Sequence, residues 1–374
     1  MRRCANAAMK ALLSASLVSA LVAGHAGSAL GCTGIRLIAE DGSTVYGRTM
    51  EWGAFDLNSR VAIIPRGHVF TGLTPEGAKG RTWTAKYGMA GLDILENDWF
   101  ADGMNEAGLA AGLFYHPGFA EYPDYDPAEA GNTISPVDVV AYILTQFATI
   151  DEVKAGMSEL RVVGVLEKMV GLPDPGHWMV TAPSGRSIVI EYAEGEVRFF
   201  ENRLGVITNS PTYDWHMTNL RNYINLSAVS LPTLTLEEMD FGPLGAGSGM
   251  IGLPGDNTPP SRLVRAVAWT QTARPTPDSS ETVYEILRIL DNFNLPLGGA
   301  EGADIEGRNE GMRSSTIWTT AWDLENRVLY FHTQHNRRLR KVGLEGLDFS
   351  GEGTRHIALD RQKAQDILDL TPGR

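Results

Sequence analysis

The chain has 374 residues, of which 43% are hydrophobic and 21% are charged. This is the composition of an ordinary globular protein, and it argues against a disordered, fibrous or disulfide-stapled chain. Acidic residues outnumber basic ones by 45 to 32, giving a net charge of −13. Nucleic acids and anionic membranes are bound by basic surfaces, so neither is expected as a partner.

The first thirty-one residues have the pattern of a secretory signal. A basic start precedes an apolar run over residues 11–24, and residues 29–31 show a small-x-small pattern directly before Cys32. The run is shorter than the ~20 residues of a membrane-spanning helix. We therefore expect residues 1–31 to be a removed signal peptide, residues 32–374 to form one domain, and the product to be secreted or periplasmic without membrane insertion.

The hydrophobic pattern of the remaining chain predicts strands at both ends and helices between them. Strands are predicted at residues 35–39, 44–50, 61–65, 82–89, 178–181, 187–191, 197–200, 204–208, 315–322 and 328–333. Helices are predicted from residue 135 onward and at 151–160, 215–224, 261–272 and 281–293. Asp41-Gly42 favours a tight hairpin turn between the first two strands. This order predicts an α+β domain in which helices cover stacked antiparallel sheets.

Cys32 would be the first residue and the single cysteine of the mature chain, because Cys4 lies within the signal. An N-terminal cysteine can attack a carbonyl group and use its own α-amine, with a pKa of about 7.7–8.0, as the base. Such a site also needs a cation beside the thiolate, acceptors for the amine and donors for an oxyanion. The signal region alone leaves three interpretations of Cys32 open, namely a catalytic, a lipidated and an inert cysteine.

Four polar residues at the ends of predicted elements meet these needs. Arg48 and Glu51 end the strand that pairs with the Cys32 strand across the hairpin turn. Asn209 ends the strand at 204–208, and Arg262 opens a helix after a glycine-rich run. Each one alone is more often a surface salt bridge, a turn residue or a solvated helix residue. Together they are the candidate catalytic residues.

Apolar residues near this centre are candidates for an acyl pocket. They are Trp52, Phe114 and Tyr115, and Trp99 is at least as readily explained by core packing. Five of the eight histidines are interpreted as scattered, solvated or core residues, since metal sites need clustered ligands. They are His116, His177, His216, His332 and His335. The glycines at 245–252 lack the lysine of a phosphate-binding loop, so we predict no metal and no cofactor.

Five ordered segments of the chain resemble one known family. They are Cys32–Gly34, Gly47–Glu51, Ala101–Leu109, Thr208–Trp215, and Gly252–Asp256 with the nearby Thr258, Ser261 and Arg262. These segments resemble the choloylglycine hydrolase and penicillin V acylase family of N-terminal-nucleophile (Ntn) hydrolases, and the similarity runs across nearly the whole mature chain. The resemblance implies an αββα sandwich, with two antiparallel sheets between helical layers, and hydrolysis of linear amides such as conjugated bile salts, penicillin V and N-acyl homoserine lactones.

The resemblance also implies roles for individual residues. Cys32 is the nucleophile and, through its amine, the general base; Arg48 orients the thiol. Asn209 and the backbone N–H of Tyr115 are the oxyanion donors, and Arg262 lines the catalytic centre. Glu51 stands where the family usually has Asp, and Tyr115 where typical bile-salt hydrolases have Asn. Family members are commonly tetramers, so a homo-oligomer is expected.

The sequence therefore predicts an exported amidase that transfers an acyl group from a small-molecule linear amide to Cys32 and then to water. The alternative is a lipidated or catalytically inactive family member that acts as an envelope binding protein. An amidotransferase would need a second, synthetic site, and nothing in the sequence suggests one.

Overall fold

The structure of the protein is a computed structural model that describes residues 31–53, 56–167, 172–173, 175–301 and 313–371. Apart from Gly31, the predicted signal peptide lies outside these ranges. None of the helices in the described ranges combines the length and the apolar character that crossing a bilayer requires.

The described chain forms strands, five α-helices and short 3₁₀ turns. The strands are β1 Cys32–Ile38, β2 Thr44–Trp52, β3 Arg60–Ile64, β4 Val69–Thr71, β5 Thr82–Thr84, β6 Met89–Ile94, β7 Trp99–Asn105, β8 Ala110–Tyr115, β9 Thr133–Ile134, β10 Arg161–Val162, β11 Leu166–Glu167, β12 Leu172–Pro173, β13 Gly176–Thr181, β14 Ser187–Ala193, β15 Glu196–Glu201, β16 Val206–Ile207, β17 Leu234–Leu236, β18 Met239–Phe241, β19 Ala300–Glu301, β20 Arg313–Asp323, β21 Val328–Thr333, β22 Arg340–Gly343 and β23 Arg355–Ala358. The α-helices are α1 Val139–Gln146, α2 Ile150–Ser158, α3 Tyr213–Asn219, α4 Pro259–Thr272 and α5 Ser279–Leu290.

Two large antiparallel sheets organise the fold. In the first sheet the strand order is β16-β1-β2-β20-β21-β22, with β19 paired to β20. In the second sheet the order is β15-β14-β13-β8-β7-β6-β3-β23. Successive side chains of a strand point to opposite faces, so each sheet packs against the other sheet on one face and against helices on the other.

Three buried apolar clusters mark the layers. One joins the first sheet to α4 and α5 through Ile35, Val45, Leu263 and Ile286. The second lies between the two sheets and includes Tyr46, Met104, Phe114, Trp318 and Trp322. The third joins the second sheet to α1 and α2 through Ile64, Phe100, Val140 and Trp178. This arrangement confirms the predicted αββα sandwich.

The predicted helices and the strands of the first sheet are confirmed apart from shifts of a few residues at their ends. The single strand predicted at 82–89 is wrong, because β5 ends at Thr84 and β6 begins at Met89. Strands β6, β7 and β8 were not predicted. Nearly all of their residues are buried on both faces, so they lack the apolar–polar alternation that identifies a half-exposed strand.

Candidate active site

The β1–β2 hairpin places the first part of the site. Cys32 pairs with Met50 and Gly34 pairs with Arg48 in the antiparallel register, so residues that are 18 and 14 positions apart in sequence meet at one end of the first sheet. Cys32 is 3% exposed, and its Sγ lies 3.7 Å from the Met50 Sδ. The side chain points into the space between the two sheets, as Tyr46 and Met50 do.

Arg48 crosses from the first sheet to the second. Its Nη1 donates to the carbonyl oxygens of Ala101 at 2.6 Å and Leu113 at 2.5 Å. The guanidinium carbon lies 4.2 Å from the centre of the Phe114 ring, a distance typical of a cation–π contact. A Cβ atom at Gly34 would come within 2.5 Å of the same ring, so the absent side chain at Gly34 allows this packing.

Asp102 provides a buried negative charge near Arg48. Its Oδ2 accepts hydrogen bonds of 2.7 Å from Thr320 Oγ1 and from Trp322 Nε1. Burial raises the pKa of Asp102, and the positive charge of Arg48 lowers it. The carboxylate and the guanidinium therefore offset each other's charge within the interior.

Glu51 reaches the site through a β-bulge. The pairing of β2 with β20 shifts between Met50 and Glu51, which re-aims the side chains that follow. The carboxylate accepts hydrogen bonds from Thr316 Oγ1 at 2.6 Å and Thr49 Oγ1 at 3.1 Å. Burial raises the pKa of Glu51 to about 7, although Arg262, the two hydroxyls and Arg48 each lower it.

Asn209 and Arg262 come from distant parts of the chain. The short strand β16 pairs with β1, with Ile207 opposite Gly34, and so brings Asn209 beside Cys32. Asn209 Oδ1 accepts from the Cys32 backbone N–H at 2.9 Å and from Arg262 Nη2 at 2.6 Å. Its Nδ2 donates one hydrogen to the Tyr115 carbonyl at 2.7 Å and carries a second.

Arg262 lies in the first turn of α4, which begins with two prolines, Pro259 and Pro260, a residue favoured in the first helical turn. Its Nη1 donates to the Cys32 carbonyl and, at 2.9 Å, to Thr33 Oγ1. The structure therefore brings together the five candidate catalytic residues, and Tyr115 contacts Asn209 at the same place.

The electrostatics of the Cys32 thiol reflect this setting. Burial raises the pKa of the thiol, Arg48 lowers it, Glu51 raises it and Arg262 lowers it. Gly31 precedes Cys32 in the structure, so the Cys32 nitrogen is a peptide N–H that donates to Asn209. Cleavage of the Gly31–Cys32 bond would turn the same nitrogen into an α-amine.

The predicted pocket residues differ in their surroundings. Phe114 is fully buried and carries the guanidinium of Arg48 on its face, so its ring supports the arginine. Trp52 is half-buried at the end of β2 and packs against the cluster between the sheets. Tyr115 is half-buried at the end of β8. Trp52 and Tyr115 therefore have the exposure that contact with a ligand requires.

Sequence reasoning missed a group of histidines behind Asn209. The prediction that the histidines are scattered is wrong for three of them, because His116 and His177 stack and His216 bonds to Asn209. The in-plane lone pairs of two stacked rings do not converge on one point, which disfavours a shared metal ion. No sequence pattern links these residues, since β-strand pairing and the start of α3 bring them together.

Comparison with known proteins identifies the family to which this chain belongs. The profile described as "Linear amide C-N hydrolases, choloylglycine hydrolase family" matches residues 32–357. The chain belongs to this family, whose members hydrolyse linear amide C–N bonds. Its fold is the Ntn-hydrolase sandwich that the sequence predicted.

Individual relatives agree with this assignment. The chain is 30% identical to the bile salt hydrolase/transferase of Clostridium perfringens over 85% of this chain and 94% of that protein. It is 26% identical to the penicillin V acylase of Pectobacterium atrosepticum over 87% of this chain and 83% of that protein. A crystal structure of a variant conjugated bile acid hydrolase from Clostridium perfringens superimposes with a TM-score of 0.79 at 27% identity, covering 91% of this chain and all (100%) of that one.

Proposed function

We propose that this linear amide hydrolase is an exported cysteine amidase that acts through an acyl-Cys32 intermediate, with the Cys32 α-amine as its base. The observation that supports the proposal is the meeting of Cys32 with Arg48, Glu51, Asn209 and Arg262 at the end of the first sheet. Two cations, one carboxylate and an amide that binds the Cys32 nitrogen surround a buried thiol, which are the groups that an N-terminal nucleophile needs.

The proposed reaction has two halves. The α-amine takes the thiol proton, the sulfur attacks the amide carbonyl carbon, and the C–N bond breaks as the ammonium gives its proton to the leaving amine. Water then attacks the thioester, and the released acid leaves Cys32 as a thiol with a free amine. Arg48 and Arg262 favour the thiolate through their positive charge.

The oxyanion of each tetrahedral intermediate needs donors aimed at it. In this proposal the second hydrogen of Asn209 Nδ2 and the backbone N–H of Tyr115 supply them. Arg262 holds Asn209 Oδ1 at 2.6 Å, which fixes the direction of the amide group. Glu51 contributes a carboxylate to the surroundings of the new α-amine.

The substrate in this proposal is a small linear amide with an apolar acyl group, such as penicillin V, an N-acyl amino acid, an N-acyl homoserine lactone or a conjugated bile salt. Trp52 and Tyr115 provide aromatic surface near Cys32, and burial of apolar surface contributes about 25 cal/mol per Å². A panel of these four amide classes, with product detected by mass spectrometry, selects the acyl donor. Turnover of none of them would contradict the substrate proposal.

The nucleophile is tested by Cys32→Ala and Cys32→Ser, with Cys4→Ser as the matched control. Cys32→Ala should abolish turnover without loss of the folded state, Cys32→Ser should retain weak activity, and Cys4→Ser should leave turnover unchanged. Intact-mass analysis of the parent with a slow substrate should show one added acyl group. Digestion should place that group on the peptide that begins at Cys32. Retained activity in Cys32→Ala overturns the assignment.

Export and the state of the N-terminus are tested on material recovered from the cell envelope and medium. The proposal expects a chain that begins at Cys32 with a free amine, in the periplasm or outside the cell. A diacylglyceryl group on Cys32 would instead support the envelope binding protein, because sulfur in a thioether bond to that group can no longer act as the nucleophile.

We also propose a homo-oligomer. The β17–β18 hairpin presents Leu234, Leu236, Met239 and Phe241, each more than half exposed. Exposed apolar patches of this kind mark interaction surfaces. Light scattering after size-exclusion chromatography should show an oligomer for the parent and a smaller species for Leu236→Lys with Phe241→Lys; a monomeric parent would contradict the proposal.

A further inference from the structure

A group of buried titratable side chains lies directly behind Asn209 and outside the groups that the mechanism uses. Its members are His116, His177, Glu191 and His216, which are 0%, 1%, 2% and 2% exposed. His177 lies on β13 and Glu191 on the neighbouring β14. Because burial of unpaired polar groups is costly, the hydrogen bonds of this group show what it holds in place.

His177 joins Glu191 to the backbone just before Asn209. Its Nε2 lies 3.1 Å from the Thr208 carbonyl oxygen and its Nδ1 lies 3.1 Å from Glu191 Oε1. A carbonyl oxygen can only accept, so Nε2 carries a hydrogen and donates it to Thr208. The ring of His177 therefore lies between the Thr208 carbonyl on one side and the Glu191 carboxyl group on the other.

Glu191 also fixes the helix that carries His216. Its Oε1 accepts from the backbone N–H of Tyr213 at 2.9 Å, and Tyr213 is the first residue of α3. From α3, the Nε2 of His216 approaches the Asn209 carbonyl oxygen to 2.9 Å. Burial lowers the pKa of His216 to about 4, so at neutral pH the ring is uncharged and donates from Nε2.

His116 completes the packing. Its ring stacks on His177 with a centroid distance of 4.1 Å and an interplanar angle of 13°. The stack prevents rotation of the His177 ring away from Thr208. Two histidines therefore contact the carbonyl groups of Thr208 and Asn209. Glu191 contacts His177 directly and holds His216 through the first residue of α3.

We propose that His177, Glu191 and His216 are positioning residues that hold the Asn209 backbone, and thereby set the direction of its side chain toward Cys32 and the oxyanion. This inference rests on the proposed role of Asn209. An oxyanion donor must be placed within a fraction of an ångström, and a misplacement of about 1 Å can cost about 10²-fold in rate. Loss of this support should lower kcat and leave KM nearly unchanged, because the oxyanion forms only during the reaction and is absent from the bound substrate.

The experiment uses the full-length protein, expressed and processed normally, and compares His177→Phe with His177→Gln. Phenylalanine keeps a ring for the stack and has no donor, whereas glutamine can place an N–H near the Thr208 carbonyl. We expect His177→Phe to lower kcat by about 10- to 100-fold with KM changed less than about 3-fold. We expect His177→Gln and Glu191→Gln each to lose less kcat than His177→Phe.

His332→Phe is the matched control, because His332 is a buried histidine on β21 of the first sheet, whereas His177 lies on β13 of the second sheet. It should lose a comparable amount of stability in urea unfolding and keep kcat. The rate of Cys32 alkylation by iodoacetamide should be similar in all variants, since Arg48 is untouched. Equal losses of kcat in His177→Phe and His332→Phe, or no rescue by His177→Gln, would overturn the inference.

A double-mutant cycle separates this inference from the proposed function. In an Asn209→Ala background, His177→Phe should cause no further loss of kcat, because the group it positions is gone. If Asn209→Ala alone keeps full kcat, the proposed role of Asn209 fails. If Asn209→Ala loses kcat and His177→Phe adds its full loss on top, only the positioning role fails.

Discussion

Glu51 allows a prediction whose size follows from the structure. Its pKa of about 7 in the folded protein lies above the ordinary value of 4.5 because the carboxyl is buried. At about 1.4 kcal/mol for each pH unit, the difference corresponds to about 3 kcal/mol between the two protonation states. The folded protein keeps a proton on Glu51 at pH values where the unfolded chain has released it.

The direction of the pH dependence follows from this difference. The contribution of Glu51 to the free energy of unfolding is fully present below pH 4.5 and is lost as the pH rises through about 7. Between pH 5.5 and pH 8.5 the loss should be about 2 kcal/mol. Glu51→Gln cannot ionise, so its stability relative to the parent should improve by about this amount over the same interval.

The measurement is urea unfolding followed by tryptophan fluorescence at both pH values. Both chains carry Cys32→Ala, which removes the titrating thiol, and both keep Gly31 in peptide linkage so that residue 32 has no ammonium group. Glu352→Gln, at an exposed glutamate, is the matched control and should show no such change. A stability difference between Glu51→Gln and the parent that is equal at the two pH values would refute the reasoning.

Four further predictions follow. In chains that begin at residue 32, the α-ammonium adds a positive charge to the site, so the pH dependence of the Glu51→Gln comparison should shrink; an unchanged value would contradict this. Arg48→Lys cannot keep both carbonyl bonds and the ring contact, so kcat should fall at least about 10-fold and unfolding free energy by about 2–3 kcal/mol; kinetics and urea unfolding check this. Asp102→Asn removes a carboxylate near Arg48, so the positive charge of Arg48 should stabilise the Cys32 thiolate more strongly. The pH midpoint of Cys32 alkylation should then fall; a rise would count against it. Gly34→Ala forces a Cβ against the Phe114 ring and should cost about 1–3 kcal/mol, whereas Gly131→Ala, with no atom within 4 Å of its Cβ position, should cost far less in the same unfolding assay.

The sequence alone was sufficient for the local parts of the site. Asp41-Gly42 supports a tight turn, and a period of two then sets Arg48 opposite Gly34 and Met50 opposite Cys32, as the structure has them. The helix that carries Arg262 was also predicted, at residues 261–272, and the structure begins it two residues earlier at Pro259. The family resemblance rests on the same segments, and the fold it implied is confirmed.

Other features of the site depend on contacts between distant residues. Asn209 bonds to a Cys32 nitrogen 177 positions away, and Arg262 donates to a Cys32 carbonyl 230 positions away. Strands β6 to β8 have both faces buried, so their pattern lacked alternation, and with them the sequence could not show that Phe114 would lie under Arg48.

The group of histidines behind Asn209 also depends on contacts between distant residues. His177 and Glu191 become partners through the pairing of β13 with β14, and His216 joins them because Glu191 accepts from the first residue of α3. Turns, helix caps and strand periods can be predicted from short stretches of sequence, because each of them involves neighbouring residues. A buried polar network has no such period, because each of its members is placed by a different element and only the packed sheets bring them within hydrogen-bond distance.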